Sequence, residues 1–417
     1  MVDKNEMRDV VIAGGGYVGL SVAVAVADAA PHLKLTLVDA APADALSKDE
    51  RASAIAAAAG RMLDRLGIWE GLLDHAQPIN EMIVTDSRTN DPVRPVFLTF
   101  GMGGKDVAEG DPFAHMIPNK ALVGALRERA GALGIEMLHG ETVAEFETAD
   151  PATTVTLGSG KTLRTKLLVA ADGVRSGLRQ QAGIRTVNWQ YDQMGIVTTV
   201  KHERPHEGRA EEHFLPGGPF ATLPLKPDDE KGNRSSLVWT EPTGNAERLM
   251  KADDFTFELE LEKRFGHKLG EMSVAGPRKA FPLGLTLARD FVRPRFALVG
   301  DAAHGIHPIA GQGLNLGFKD AAALAQVIVE TDRLGLDIGA MTALERYERW
   351  RRFDTVQMGV VTDVLNRLFS NDIGPLRMLR TVGLGIVDRL PQLKAAFIDQ
   401  AAGRSANAPS LLNGEAI

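Results

Sequence analysis

Apolar and polar positions along the chain follow two rhythms. Residues 9–13 (DVVIA) are a short apolar run, 17–29 are rich in Ala and Val without a breaker, and 33–38 are a second apolar run. Strand, helix and strand in tight succession predict the start of a parallel sheet with helices on its faces. Helices are predicted over 52–66 and 121–133, and a strand over 163–170. Residues 84–100 alternate polar and apolar with several prolines, as edge strands do. From about 187 to 281 short alternating runs (GIVTTVKH, EEHFLPGG, FATLPL, SSLVWT) are separated by Gly/Pro turns. They predict an antiparallel sheet, with a helix over 255–265 laid against it. The first rhythm returns at 295–299 and runs into a helix over 313–331. The last 70 residues are expected to be helical, with Val360, Val361, Val364, Leu365, Leu368 and Phe369 at helical spacing.

The fold class is therefore α/β. A doubly wound, Rossmann-like domain is expected from 1–76, 100–186 and 285–345, with a β-rich domain from 77–99 and 187–284 inserted and C-terminal helices over 346–417. The Gly-rich stretch 101–110 reads as a mobile loop.

Composition narrows the field. At 417 residues, 44% hydrophobic and 24% charged, the chain can bury a large core and more than one lobe. There is no cysteine, which excludes disulfides and thiolate-held zinc or iron–sulfur clusters within the chain. The net charge of −7 argues against general binding to nucleic acid or an anionic membrane. No apolar run approaches the roughly 18–20 residues of a membrane span. The N-terminus leads from charged residues directly into a strand, without the pattern of a signal peptide. A cytoplasmic protein is expected, with any membrane contact peripheral to the inner face.

Two glycine clusters carry the chemistry. Gly14-x-Gly16-x-x-Gly19 follows a strand and opens a helix. Gly14 allows the tight turn, Gly16 lets the backbone approach a pyrophosphate, and Gly19 lets helix and strand pack closely. The helix start offers free N–H groups and a partial positive charge to phosphates. Asp39 ends the second strand, placed to accept hydrogen bonds from a ribose diol. This motif by itself does not separate FAD from NAD.

The second cluster lies in LVGDAAHGIHPIAGQGLNLG, residues 298–317. Asp301, at the end of a buried-type strand, suits ribityl or ribose hydroxyls. Gly311 and Gly313 bring backbone N–H groups to a helix start, which suits the N1–C2=O edge of an isoalloxazine. His304 and His307, without nearby thiolates or carboxylates, make a poor metal site and are assigned to loop structure or the flavin edge, with no metal expected. Between the clusters, Asp172-Gly173-Val174-Arg175-Ser176 reads as an Asp-Gly turn after a strand.

These three segments resemble the GxGxxG, DG and GD motifs of class A FAD-dependent aromatic hydroxylases. Nearly the whole chain takes part. Within that class IHPIAGQGLNLGFKDAAAL, GGPFATLPL, SLVWT and the C-terminal RLFSND, GLGIVDRLPQLK and AAG are similar to the ubiquinone-biosynthesis hydroxylases (2-octaprenyl-6-methoxyphenol / 2-polyprenylphenol hydroxylase type).

The resemblance implies a glutathione-reductase-type FAD domain with an inserted substrate domain. It implies that Gly14, Gly16 and Gly19 hold the pyrophosphate and Asp39 the adenosine ribose. Arg51 would contact cofactor phosphates, Asn119 would help seat FAD, and Asp172 would serve both FAD and reduced nicotinamide. Asp301 would bind flavin hydroxyls. His307 and Pro308 would lie near the ring, and Gly311, Gln312, Gly313, Leu314 and Asn315 would offer it backbone groups.

The implied activity is ring hydroxylation of a polyprenylated phenol with O2, through a flavin C4a-hydroperoxide, after reduction by NAD(P)H or another donor. No protein side chain need be the oxidant. The alternatives are a class A hydroxylase of a small soluble phenol and a non-catalytic flavoprotein subunit of a biosynthetic complex. Other ubiquinone-pathway proteins are implied as partners, and transient membrane surface contact follows from so apolar a substrate. Phe214, Leu215, Phe220, Leu223, Leu225 and Trp239 are candidates for an apolar channel or for core. Arg346, Arg349, Arg351 and Arg352 form a basic cluster that reads either as a lipid-facing patch or as a solvated face, with Glu345 and Glu348 as i,i+4 partners of Arg349 and Arg352.

Overall fold

The structure, a computed structural model, describes residues 7–44, 49–89, 91, 94, 96–101, 112–228, 232–306, 312–370 and 407–417. The chain opens with β1 (Met7–Ala13), α1 (Tyr17–Ala29) and β2 (Leu35–Asp39), then β3 (Ala52–Ala56) and α2 (Ala57–Arg65). Next come β4 (Gln77–Ile79), β5 (Glu81–Asp86), β6 (Val96–Gly101), β7 (Ala114–Pro118) and α3 (Asn119–Ala132). β8 (Glu136–His139), β9 (Val143–Ala149), β10 (Ala152–Leu157) and β11 (Thr162–Ala170) lead through the short α4 (Gly177–Gln181) to β12 (Thr186–His202). There follow β13 (Arg209–Leu215), β14 (Gly218–Asp228), β15 (Gly232–Pro242), α5 (Thr243–Lys251), α6 (Asp254–Phe265), β16 (Met272–Val274) and β17 (Lys279–Ala288). β18 (Val292–Arg293), β19 (Phe296–Leu298), β20 (His304–Gly305), α7 (Gln312–Arg333) and α8 (Met341–Phe369) complete the series.

One sheet has the order β18-β19-β11-β1-β2-β8, with β10 and β9 added beside the first half of β11. The run β19-β11-β1-β2-β8 is parallel. Val10, Val11 and Ile12 of β1 are fully buried, as a parallel strand covered on both faces must be. The helix α1 packs between this sheet and α7. A Cβ at Gly317 would stand 2.5 Å from Val18 Cγ2, so α7 lies close against the start of α1. Each fully buried Val or Leu in this layer contributes roughly 1.5–3 kcal/mol.

The second sheet has the order β20-β17-β12-β15-β14-β13-β5-β6, with β16 beside β12. It is antiparallel except for the β13–β5 pair. Its back face packs Ile196, Val200, Leu237 and Trp239 against Leu249 of α5 and Phe257 and Leu261 of α6. β3, β7 and β4 form a separate small sheet, which packs Ile79 and Met116 against Leu225 of β14.

Three expectations are corrected. Residues 52–66 are not one helix: Ala52–Ala56 pair with β7 as a strand before α2 begins. Alanine-rich sequence favours helix, but the ladder to β7, together with a 2.9 Å bond from Ala56 N–H to Asn315 Oδ1, overrides that weak preference. The boundary expected at 346 falls inside α8, which starts at Met341. The basic cluster does not share one exposed face. Arg351 is buried against Asp320, Arg346 bonds Glu330, and Glu348 accepts from Phe291 N–H and not from Arg352. Of the Gly-rich stretch 101–110, Gly101 ends β6 as strand and not loop, and 102–110, like 371–406 of the C-terminal region, lies outside the described residues.

Candidate active site

The strands of the parallel sheet end at a cleft of about 1480 Å3. That exceeds the roughly 300–1,000 Å3 of a single small-ligand pocket, so the space fits more than one molecule. Its first wall is the turn between β1 and α1. Gly14 has φ +120°, and a Cβ there would strike the Ala171 carbonyl oxygen at 2.2 Å. At Gly19 a Cβ would stand 2.0 Å from the Gly14 carbonyl oxygen, and at Gly15 it would meet the Asp39 carboxylate at 2.4 Å. Gly14 and Gly19 let backbone pack on backbone, and Gly15 makes room for the Asp39 carboxylate. Gly16 differs: a Cβ there meets no protein atom within 4 Å. It is the N-cap of α1, carries no side-chain cap and lines the cleft. The helix start therefore leaves its N–H groups open to an anion.

Asp39 stands at the end of β2, beside this turn. Its carboxylate accepts 2.8 Å from Arg127 Nη2 and 3.1 Å from Ala41 N–H. Arg127 also donates to the Ala43 carbonyl. Nothing in the local sequence marked this arginine, because the pair joins α3 to β2 across 88 residues. Arg51 pairs with Asp49 through two bonds of 2.9 Å. Burial works against the Asp49 charge, but the bonds from Arg51 outweigh it and hold the carboxyl below its ordinary range. Asn119 is buried, donates to Asp49 and accepts from Ser53 Oγ. Arg51 and Asn119 thus come together on one side of the cleft.

The other two motifs meet through Arg179. Its guanidinium donates to the Val174 carbonyl at 2.9 Å and to the Ala302 carbonyl at 2.7 Å, fastening the Asp-Gly turn to the Gly-Asp turn. Gly173, Val174 and Arg175 line the cleft. The Asp172 side chain is exposed and accepts 3.3 Å from Leu178 N–H at the start of α4.

Asp301 lines the cleft from a short 3-10 turn, Gly300–Ala302. The residue is exposed to the cleft, yet the surrounding protein desolvates its carboxyl and raises it above the ordinary value, with His304 opposing and Asp320 adding to the shift. The turn is pinned from beneath by Asp320 of α7, which accepts from Gly300 N–H at 2.9 Å and bonds the His304 ring. Among the described residues no cluster of His, Asp and Glu fits a metal ion.

Gly313, Leu314 and Asn315 line the cleft where α7 begins. The Asn315 side chain is committed to β3, accepting from Ala56 N–H and donating to the Ala54 carbonyl. His307, Pro308 and Gly311 lie outside the described residues, as does the side chain of Gln312.

The opposite wall is the front face of the antiparallel sheet. Register sets two cross-strand rows on it. One runs Pro219, Thr240, Gly195 and Phe281; the next runs Glu212, Ala221, Val238 and Val197. All eight line the cleft, and Leu223 joins them. Of the six channel candidates, Leu215, Phe220 and Trp239 instead lie in the core behind the sheet, and Leu225 packs beneath β4 and β7 with Ile79 and Met116. Phe214 packs its ring against Phe369 of α8, tilted by 31° with 4.3 Å between ring centres.

One cleft thus joins a phosphate-binding turn to a mainly apolar wall able to take a second molecule. That is the layout of an FAD-dependent aromatic hydroxylase. Residues 7–352 match the FAD binding domain family. Over 403 residues, 96% of this chain and 90% of the relative, the chain is 42% identical to the ubiquinone hydroxylase UbiL of Rhodospirillum rubrum. It is 33% identical to the 3-demethoxyubiquinol 3-hydroxylase of Escherichia coli over 410 residues, 96% of this chain and 99% of that protein. The fold is similar to that of the p-nitrophenol 4-monooxygenase PnpA of Pseudomonas putida, with a TM-score of 0.76 at 19% identity, covering 96% of this chain and 99% of that one. The chain belongs to the FAD-binding ubiquinone-biosynthesis hydroxylase family and is an FAD-dependent monooxygenase.

The residues present fit FAD. Gly16 leaves bare backbone where a Cβ would project into the cleft, and the uncapped helix start matches a diphosphate. Asp39, already fixed by Arg127, offers acceptor oxygens for hydroxyls of the adenosine ribose.

Proposed function

We propose that this protein hydroxylates the aromatic ring of a polyprenylated phenol in ubiquinone biosynthesis, using O2 and electrons from NAD(P)H or another donor. The observation that carries this reading is the continuity of the cleft from the Gly16 turn to the apolar sheet face. Bound FAD, once reduced, supplies the activation of O2.

The chain's own residues bind, orient and exclude water. Gly14, Gly16 and Gly19 seat the diphosphate, with Arg51 and Asn119 flanking it, and Asp39 takes the ribose. Asp301 takes flavin hydroxyls, and the backbone from Gly313 to Asn315 at the start of α7 borders the ring; the roles expected of His307, Pro308 and Gly311 fall outside the described residues. Asp172 serves the Asp-Gly turn through which the nicotinamide approaches. The sheet wall of Gly195, Ala221, Val238 and Val197 gives a flat, mainly apolar surface for an arene and keeps water from the reacting centre.

Support for a neutral ring over a small carboxylated one comes from the position of the arginines. Arg127 is paired with Asp39, Arg51 with Asp49, and Arg175 and Arg179 belong to the Asp-Gly turn; none stands on the sheet rows, and only Arg51 reaches one of them, 5.9 Å over the Phe281 ring. The FAD unit is taken as 1–76, 100–186 and 285–340, ending before α8, and the substrate unit as 77–99 and 187–284. Among the described residues no helix is long and apolar enough to cross a membrane. Contact with the bilayer that holds the substrate is assigned to the exposed face of α8, peripheral to the cytoplasmic side.

Deletion of the gene followed by mass spectrometry of quinone precursors tests the reading. An accumulated prenylated intermediate lacking one ring hydroxyl is expected, and its structure gives the ring position. An unchanged quinone pool would overturn the assignment. Bound FAD without phenol-dependent oxygen uptake would favour a non-catalytic flavoprotein.

A further inference from the structure

We propose that the hydroxyl of Tyr17 is a further ligand of FAD, donating a hydrogen bond to the diphosphate at the start of α1. This rests on the reading that the diphosphate lies at the Gly16 turn.

Tyr17 and Val18 fill the two places between Gly16 and Gly19. Val18 is packed against the third motif. A Cβ at Gly317 would stand 2.5 Å from its Cγ2, and one at Gly300 would stand 3.1 Å from it. Tyr17 is the first residue of α1. Every Cα–Cβ bond of a helix leans toward its N-terminus, so a side chain at this place tilts back past the helix start. That direction carries the phenol toward the open N–H groups of α1. Tyr17 lines the cleft and is partly buried, with its ring against the main core. Among the described residues its hydroxyl meets no hydrogen-bond partner, and the charges of Asp301, Arg51 and Asp49 act on it. The phenol thus stands within reach of both the Gly-Asp turn and the Arg51–Asp49 pair.

A tyrosine packed by its ring and open at its hydroxyl suits an acceptor on a ligand. The surrounding protein desolvates the phenol and raises it above its ordinary value, with Asp301 adding and Arg51 opposing. It therefore keeps its proton and donates at neutral pH. The arginines beside this turn are already matched, Arg51 by Asp49 and Arg127 by Asp39. A diphosphate here is held largely by neutral donors. The first turn of α1 has no acidic residue and its N-cap no side-chain bond, so nothing on the helix competes. The Tyr17 O–H adds to the backbone N–H groups a charge-assisted bond of its own.

Calorimetric titration of the deflavinated full chain with FAD tests this role. Tyr17→Phe keeps the ring and removes the hydroxyl. It should bind FAD about tenfold or more weakly than the wild type, the scale of one hydrogen bond to a charged group. The thermal midpoint of its apoprotein should stay at the wild-type value, because no protein group loses a partner. Tyr17→Leu should lose at least as much affinity. Wild-type affinity in Tyr17→Phe overturns the proposal, and a loss confined to Tyr17→Leu would assign the effect to ring packing.

Fluorine NMR of the wild type labelled with 3-fluorotyrosine covers the case in which Tyr17→Phe fails to fold. The chain has three tyrosines, and the hydroxyls of Tyr191 and Tyr347 already bond Asp363 and the Leu298 carbonyl. One resonance should move as FAD is added; three unmoved resonances overturn the proposal. Failure of the underlying placement looks different. Gly16→Ala would then also bind FAD like the wild type, whereas a weakened Gly16→Ala beside a normal Tyr17→Phe sinks the role of Tyr17 alone.

Discussion

Asp320 on α7 bonds the ring of His304 beneath the Gly-Asp turn, with both side chains fully buried. The same carboxylate accepts from Gly300 N–H and, at 2.8 Å, from Arg351 on α8. One acid therefore fixes both ends of the turn that carries Asp301 and joins two helices. Burial opposes its charge, but the charges of His304 and Arg351 prevail and hold its carboxyl below the ordinary value.

Asp320 and Asp301 should separate on substitution. Asp320→Asn leaves Arg351 buried with only Asp354 as a charged partner, and breaking such a pair costs about 3–5 kcal/mol. Asp301→Ala removes an exposed, cleft-facing carboxylate whose protein surroundings disfavour its charge. We expect Asp320→Asn to lower both the urea midpoint and the FAD content. Asp301→Ala should lower FAD content alone. The ratio of visible flavin absorbance to protein reads the second effect. A yellow Asp301→Ala protein with normal flavin content would remove Asp301 from the site.

The glycines of the first motif should divide by function. A methyl at Gly19 collides with the Gly14 carbonyl at 2.0 Å, so Gly19→Ala is expected to impair folding itself. A methyl at Gly16 meets no protein atom. Gly16→Ala should fold with a thermal midpoint near that of the wild-type apoprotein, yet bind FAD at least about tenfold more weakly, a cost of about 1.4 kcal/mol for backing the phosphates away from the helix start. Equal FAD affinity in Gly16→Ala would show that the diphosphate does not lie there.

How far the sequence carried this picture depends on the range of the contact. The GxGxxG turn, the strand ending in Asp39 and the helix opened at Gly313 are set by local spacing, and they are found where spacing puts them. Arg127, Asp320 and Arg351 act across tens of residues, and no local pattern marks which partner each will meet. Arg351 looked like its neighbours Arg349 and Arg352 because helical phase alone does not say where α7 lies. Of the channel-or-core candidates, Leu223 lines the cleft, and strand facing sends Leu215, Phe220 and Trp239 to the core. Phe220 and Trp239 are one residue out of phase with Ala221 and Val238, so they point to the opposite face of the same strands. Alternation within EEHFLPGG does not reveal which of its two faces looks into the cleft.

His213 should make stability depend on pH. Burial, with Arg94 and Lys268 nearby, pushes its pKa down to about 3. The ring is held neutral, bonded to Thr85 and to Ser87 Oγ. Because the folded value lies below the ordinary 6.5, the unfolded chain takes a proton that the folded ring refuses. The stability tied to the neutral ring is complete above about pH 6.5 and falls by about 1.4 kcal/mol per unit as pH drops toward 3. Between pH 7.5 and 5 the loss from this residue is about 2 kcal/mol. In His213→Gln the fall in unfolding free energy over that interval, from urea titrations, should be smaller by about that amount. An unchanged pH slope would mean that the native ring takes up its proton normally.

The exposed face of α8 should carry the contact with the bilayer. Phe353 is 73% exposed, and Val356, Val360 and Val364 are 44%, 54% and 52% exposed. Their spacing places them on one side of the helix. Arg349 and Arg352, both exposed, stand at the same end as Phe353. An apolar stripe with cations at one end suits an anionic lipid surface, each arginine contributing about 1 kcal/mol at low salt and less as salt screens it. Co-sedimentation with vesicles containing phosphatidylglycerol is expected for the wild type, and should weaken as ionic strength rises. Phe353→Asp with Val360→Asp should abolish it while FAD content and turnover of a short-chain soluble phenol stay as in the wild type. Retained vesicle binding in that double variant would move the membrane contact to another face of the protein.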